Sequence, residues 1–135
     1  MSHEKIQFEI ITPDKKVYSE EVDAIRLPGL KGYFGVLPGH TPYLAAVKIG
    51  EVKIQKGQEE NYFATSGGFV EVFSDSVAML AETAEPADAL DLERAENAKQ
   101  RALKRLEEGR KSWDLVRARA ALYRAINRIQ IASKQ

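Results

Sequence analysis

Ala81-Glu82-Thr83-Ala84-Glu85-Pro86-Ala87-Asp88-Ala89-Leu90-Asp91-Leu92-Glu93-Arg94-Ala95 is the stretch in which the chain changes its local grammar. Up to Pro86 short apolar runs are broken by turn residues, and all five Pro and eight of the nine Gly lie at or before that position. Beyond it the sequence turns to Ala, Leu, Glu, Arg and Lys, which are strong helix formers, with a single glycine at position 109. The charge divides at the same place. The formal net charge of zero is a cancellation of 8 basic and 13 acidic residues in the first 86 against 12 and 7 in the remaining 49. Two architectures follow: residues 1–86 as a strand-built domain and 87–135 as a helical one.

Working back from Pro86, Ile6, Phe8 and Ile10 alternate with Gln7 and Glu9 and stop at Thr12-Pro13-Asp14-Lys15-Lys16, which reads as strand then turn. Val22–Leu27 before Pro28-Gly29, Val52–Ile54 before Lys56-Gly57, and Tyr62–Ala64 before Thr65-Ser66-Gly67-Gly68 repeat the pattern, and Phe69–Phe73 and Val77–Leu80 complete it. Many short, closely spaced strands predict an antiparallel β-sandwich or flattened barrel. The Gly32–Pro42 stretch, with three Gly and two Pro in eleven residues, is expected to be a rigid corner. It lacks the Gly-Lys-Ser/Thr ending of a phosphate-binding P-loop, and no G-x-S-x-G surrounds Ser66, so the Thr65–Gly68 segment is expected to be a hairpin turn. His40 has no neighbouring nucleophile and is expected to be packed or hydrogen-bonded.

Working forward, Asp88 is expected to cap a helix of about 88–107 that Gly109 ends, and Ser112 a second running to about Ile131. Leu92, Ala95, Ala98, Ala102 and Leu106 make one stripe, and Leu115, Ala118, Leu122, Ala125 and Ile129 another, so the two helices should form an antiparallel hairpin. Such stripes bury little and predict a marginally stable, easily rearranged unit. Arg94, Arg101 and Arg105 share one helix face, as do Arg117, Arg124 and Arg128 on the other helix, within about 40° in each case. Two arginine rows beside facing stripes suit an anion with phosphate-like geometry.

Composition excludes several classes. With 44% apolar and 30% charged residues the chain is expected to fold, and with no Cys it has neither disulfides nor a thiolate nucleophile. The start carries no secretory pattern, and no fully apolar run is longer than that of Tyr43–Val47, so no membrane span is expected. Nucleic acid is the rival polyanion, in a β-sandwich adaptor whose basic hairpin binds RNA. The helical segment offers only Trp113 and Tyr123 for stacking, no recognition motif is visible and the chain is neutral overall, which favours a nucleotide or an acidic protein surface. No residue set supplies a P-loop, a metal-positioning pair or a positioned base, so no catalytic residue is assigned.

Thr12-Pro13-Asp14 with Val17-Tyr18, Gly35-Val36-Leu37-Pro38-Gly39-His40-Thr41-Pro42, Ser66-Gly67-Gly68-Phe69-Val70-Glu71-Val72 and Leu90-Asp91-Leu92-Glu93-Arg94-Ala95 together resemble the ε subunits of bacterial F-type ATP synthases over essentially the full length. The last stretch matches the I/L-D-x-x-R-A motif of the ATP-binding members. The resemblance implies an α+β chain: a β-sandwich of about ten strands followed by a two-helix hairpin. It implies a non-catalytic rotor subunit of the central stalk, peripheral at the cytoplasmic face of the cell membrane, where it serves proton-driven ATP synthesis. The sandwich would join the γ subunit and the c ring. The hairpin would permit turnover when folded, and block ATP hydrolysis when extended into the head of α and β subunits. Regulatory ATP, with or without Mg²⁺, would stabilise the folded hairpin, and its contacts carry over to Glu85, Leu90, Asp91, Arg94, Ala95, Arg101, Arg124 and Arg128. At Tyr33 many members carry an acidic residue, so a charged contact to the c ring is not carried over there.

Overall fold

A computed structural model of the chain describes residues 4–109 and 112–134, with the side chains of 112–114 excepted. It divides into two compact units, Met1–Pro86 and Ala87–Gln135. The first holds ten strands: β1 Ile6–Ile11, β2 Lys16–Val22, β3 Ala24–Gly29, β4 Gly32–Val36, β5 Tyr43–Val47, β6 Gly50–Lys56, β7 Glu59–Thr65, β8 Gly68–Val72, β9 Ser76–Ala81 and β10 Ala84–Pro86. They pair in the order β10-β7-β6-β3-β5-β8-β9-β1-β2, with β4 also on β3. All ladders are antiparallel except β1 with β9. Only Gly29 and Val47 join β3 to β5, so the sheet folds over at this narrow link.

Strand parity builds the core. Ile6, Phe8 and Ile10 are buried on the inner face of β1, as alternation requires, and they belong to one cluster with Ile25, Leu27, Val52, Ile54, Val70, Val72 and Met79 from the other strands. Tyr18 on β2 bridges the far edge: its ring centroid lies 5.9 Å from Phe8 and 5.5 Å, edge-on, from Phe63 on β7. Outside this contact, Lys56 ion-pairs with Glu20, and Asp23 accepts from the Gly57 N–H at 2.6 Å and pairs with Lys5 at 2.8 Å. The flattened barrel is thereby fastened where no ladder joins its edges.

Three expectations are corrected in this unit. Val22–Leu27 is not one strand, because the chain bends at Asp23, whose N–H donates to the Gln55 carbonyl, separating β2 from β3. The glycine-rich corner begins as strand β4, paired with β3 from Gly32 to Val36, and only then leaves the sheet. Thr65–Gly68 is no hairpin turn: β7 pairs with β6 and β10, whereas β8 pairs with β5 and β9. The segment carries the chain from one half of the sheet to the other, beside the β9–β10 crossing at Glu82-Thr83. The two crossings are stitched by Thr65 Oγ1 to the Thr83 carbonyl at 3.1 Å, the Thr83 N–H to Ser66 Oγ at 3.1 Å and the Glu82 N–H to the Gly67 carbonyl at 3.1 Å. This close approach explains Gly68, at φ 151°: a Cβ there would lie 2.0 Å from the Leu80 carbonyl oxygen.

In the second unit a short 3-10 turn, Ala87–Ala89, precedes α1, Leu92–Glu108, and α2 spans Ser112–Ala132. The expected cap at Asp88 is corrected to Asp91. The Leu90 N–H donates back to the Ala87 carbonyl, closing the 3-10 turn, and Asp91 takes the extended backbone of a cap, φ −96° and ψ 107°. Gly109 ends α1 as expected, its N–H donating to the Arg105 carbonyl at 3.0 Å. The cap expected of Ser112 and the stacking role of Trp113 fall on side chains outside the described ones.

Gly68→Ala should lower stability by about 2–4 kcal/mol, through overpacking and an unfavourable φ, read as a reduced urea midpoint. Tyr18→Phe tests the opposite case. The Tyr18 hydroxyl is buried without a hydrogen-bond partner among the described residues, and burial pushes its pKa up. Removing it while keeping the ring should leave the Tm equal or higher, whereas Tyr18→Ala should cost about 3 kcal/mol or more.

Candidate functional site

Ala95 and Ala102 on α1 and Ala118 and Ala125 on α2 are buried, each pair seven residues or two turns apart. The helices pack on each other, and the connection from Gly109 to Ser112 is too short for anything but an antiparallel pair. Leu115 on the first turns of α2 sits against Gly109, where a Cβ would approach its Cδ2 to 2.9 Å, and α2 returns to pack on the 3-10 turn. Counting outward from the connection puts Ala102 level with Ala118 and Ala95 level with Ala125. The four alanines of the expected stripes are buried and their other members half-buried, except Leu92, which lies at the first helical position and is 50% exposed; Leu90 just before the helix and Ile131, outside the stripes, are buried.

The same counting places the arginines. Arg94, at the start of α1, comes level with the stretch of α2 that carries Arg124 and Arg128, whereas Arg101 lies seven residues, or about 10 Å, further along α1. Around the helix axis, Arg94, Arg101 and Arg105 are offset by roughly 100° from the Ala95–Ala102 line, and Arg117, Arg124 and Arg128 by roughly the same angle, in the same sense, from the Ala118–Ala125 line. Antiparallel helices facing across a seam are related by a twofold axis, so equal offsets in one sense put both rows on the same side of the hairpin. Arg94, Arg101, Arg105 and Arg117 are exposed, and Arg124 and Arg128 are half-buried. Guanidinium groups gathered in this way repel one another and favour a multivalent anion lying between them.

Asp91 Oδ1 accepts from the Arg94 N–H at 3.0 Å, and the first intrahelical bond runs from the Ala95 N–H to the Asp91 carbonyl at 3.0 Å. Leu90 and Ala95 are both buried. Of the eight residues expected at the site, seven therefore belong to this helical unit, while Glu85 is half-buried on β10 in the other one. No group of three or more His, Cys, Asp or Glu suited to a metal ion occurs among the described residues.

Sequence reading missed two features of the first unit. Arg26 ion-pairs with the buried Glu51, its guanidinium carbon lies 4.8 Å from the centroid of the Tyr33 ring, and the Tyr33 hydroxyl accepts from the Glu51 N–H at 3.1 Å. Tyr33 thus fastens the β3–β4 hairpin to β6. The second feature is an outward apolar patch. Leu44, Phe69, Phe73 and Leu80 are exposed, with Phe69 opposite Leu80 in the β8–β9 ladder, and a cleft of about 390 Å³ lies beside them, lined by Ile11, Pro13, Phe69 and Leu80 among others. Strand parity could have found it: with Val70 and Val72 facing inward, Phe69 and Phe73 must face out.

Residues 5–87 match the ATP synthase delta/epsilon chain beta-sandwich domain, and residues 88–133 the ATP synthase delta/epsilon chain long alpha-helix domain. The ATP synthase epsilon chain of Syntrophobacter fumaroxidans is 47% identical over 131 residues, covering 97% of this chain and 98% of that one. That of Geotalea daltonii is 48% identical over 134 residues, covering 97% and 96%. In fold, a chain of the Euglena gracilis mitochondrial ATP synthase (OSCP/F1/c-ring) is similar with a TM-score of 0.83 at 22% identity, over 97% of this chain and 82% of that one. Matched along both units and by relatives of the same length, the chain belongs to the ATP synthase delta/epsilon chain family.

Proposed function

We propose that the chain is a non-catalytic central-stalk subunit of an F-type ATP synthase whose helical hairpin restrains ATP hydrolysis, and that ATP bound to the folded hairpin holds it in the permissive state. The observation that carries this reading is the grouping of Arg94, Arg124 and Arg128 at one level and on one side of the alanine seam, beside the capped start of α1. A triphosphate offers charge and acceptor oxygens for several guanidinium forks at once. Leu90, Asp91 and Ala95 complete the motif at that level, with Arg101 further along the row. The nucleotide is a regulatory ligand and is not hydrolysed, with or without Mg²⁺.

Binding to one conformer draws the population toward it, so the thin hairpin becomes a switch whose position follows ATP. Released, the segment from Leu115 onward carries five basic residues and no acidic one, which suits an acidic surface on the β subunits, within the head they form with α. The exposed Phe69–Leu80 patch and its cleft suit docking on the γ subunit, with the c ring as the further partner of the sandwich. Among the described residues no helix is long and apolar enough to cross a membrane, so contact with the cytoplasmic face of the cell membrane would come through the complex. Family membership, along both units, supports this reading and gives none to the RNA-binding adaptor.

Isothermal titration of the full chain with ATP should show saturable binding that weakens on the order of tenfold or more in Arg94→Ala, as expected for a lost charge-assisted contact; affinity unchanged by that substitution would reject the site. Removing the residues after Ala87 in the assembled enzyme should raise the steady-state rate of ATP hydrolysis. An unchanged rate would reject the inhibitory role of the hairpin.

A further inference from the structure

The three-residue spacing between Asp91 and Arg94 has a purely local explanation. Asp91 is the N-cap of α1, and the N–H that its carboxylate accepts is that of Arg94 itself, the third helical residue. A capping side chain reaches the second or third N–H of its helix and no further, so an aspartate that fixes the backbone of an arginine in this way must precede it by two or three positions. The flanking residues follow the same logic. Leu90 stands just before the cap and Ala95 at the fourth helical position, the two places whose apolar side chains set the angle at which a chain enters a helix, and they are 9% and 4% exposed. Leu90-Asp91-x-x-Arg94-Ala95 is thus a complete helix-start signal: its two apolar residues are buried, and its two exposed ones, Asp91 and Arg94, are joined by the capping hydrogen bond.

Resting on the function proposed above, we propose that Asp91 is a positioning residue: it orients Arg94 through the backbone and does not itself contact the nucleotide. Electrostatics point the same way. A carboxylate at a helix N-terminus interacts favourably with the helix dipole, whereas beside a triphosphate it repels the ligand. One of its oxygens is already committed to the Arg94 N–H. The role asks for a capping side chain and not for a negative charge, so serine and asparagine, which cap about as well as aspartate, can take it over.

The test is the series Asp91→Ala, Asp91→Ser and Asp91→Asn in the full chain, read in two ways: ATP affinity by titration, and amide hydrogen exchange at Arg94 and Ala95 without nucleotide. Asp91→Ala should speed exchange in the first turn and weaken ATP binding, each on the order of fivefold. Ser and Asn should recover most of both. Recovered protection without recovered affinity would overturn the proposal and make the carboxylate a direct ligand; unchanged exchange in Asp91→Ala would overturn the cap. A chain that binds no ATP at all would instead refute the proposed function, and the exchange measurements would still decide whether Asp91 holds the start of α1.

Discussion

The helical unit depends on how little its seam buries. Four alanine methyls, on Ala95, Ala102, Ala118 and Ala125, contribute about 3 kcal/mol between them at about 0.8 kcal/mol per buried carbon, and Leu90 and Ile131 are the larger buried side chains of the unit. A ligand present at a hundred times its Kd adds about 2.7 kcal/mol to whichever state binds it. The two quantities are alike, so on the proposed reading a small anion would be able to control a 17-residue and a 21-residue helix. Leucines at the same positions would push the helices apart and hold them more firmly. The sandwich is built on the other scale: Phe8, Ile10, Leu27 and Ile54 each contribute about 1.5–3 kcal/mol, and no ligand of ordinary concentration competes with their sum.

The contrast extends to the backbone. In the first unit the chain crosses between the two halves of the sheet at Thr65–Gly68 and again at Glu82-Thr83, and hydroxyls and amides tie the crossings together. With the Gly68 Cα packed against the Leu80 carbonyl, there is no room for rearrangement there. The second unit has local hydrogen bonds within each helix and an apolar seam between them. On the proposed reading it would come apart as two helices, losing the seam but keeping its caps at Asp91 and Gly109.

Much of the first unit was legible because strand parity is local. Ile6, Phe8 and Ile10 declare their face by alternation alone. Strand β2 was not legible, since Ser19, Glu20 and Glu21 on an outer strand lack an apolar run, and β4 was hidden by its glycines. The Thr65–Gly68 segment was misread because turn residues mark a change of direction without saying which strand the chain will pair with next, and that pairing is decided far away in sequence. At the candidate site, spacing gave the arginine rows and the seam. Placing the cap at Asp88 failed because Asp88 and Asp91 are equally competent by residue type, and the 3-10 turn at Ala87–Ala89 takes the first of them.

The charge division gives the alanine seam its sign. Guanidinium groups about 10 Å apart in water repel by about 0.4 kcal/mol per pair, and two rows of three on one side of the hairpin contain several such pairs. On the proposed reading this repulsion would oppose the seam without an anion and become attraction with one, so a single ligand would change the balance twice. A row of lysines would carry the same charge but lack the planar fork that fits phosphate oxygens in pairs. The zero net charge of the whole chain conceals this arrangement, because 13 of its 20 acidic residues lie in the first 86 positions, in the unit that carries no part of the arginine rows. What the basic unit would gain from its excess, on that reading, is a preference that its surroundings can reverse, provided that the start of α1 is held firmly enough for Arg94 to keep its place.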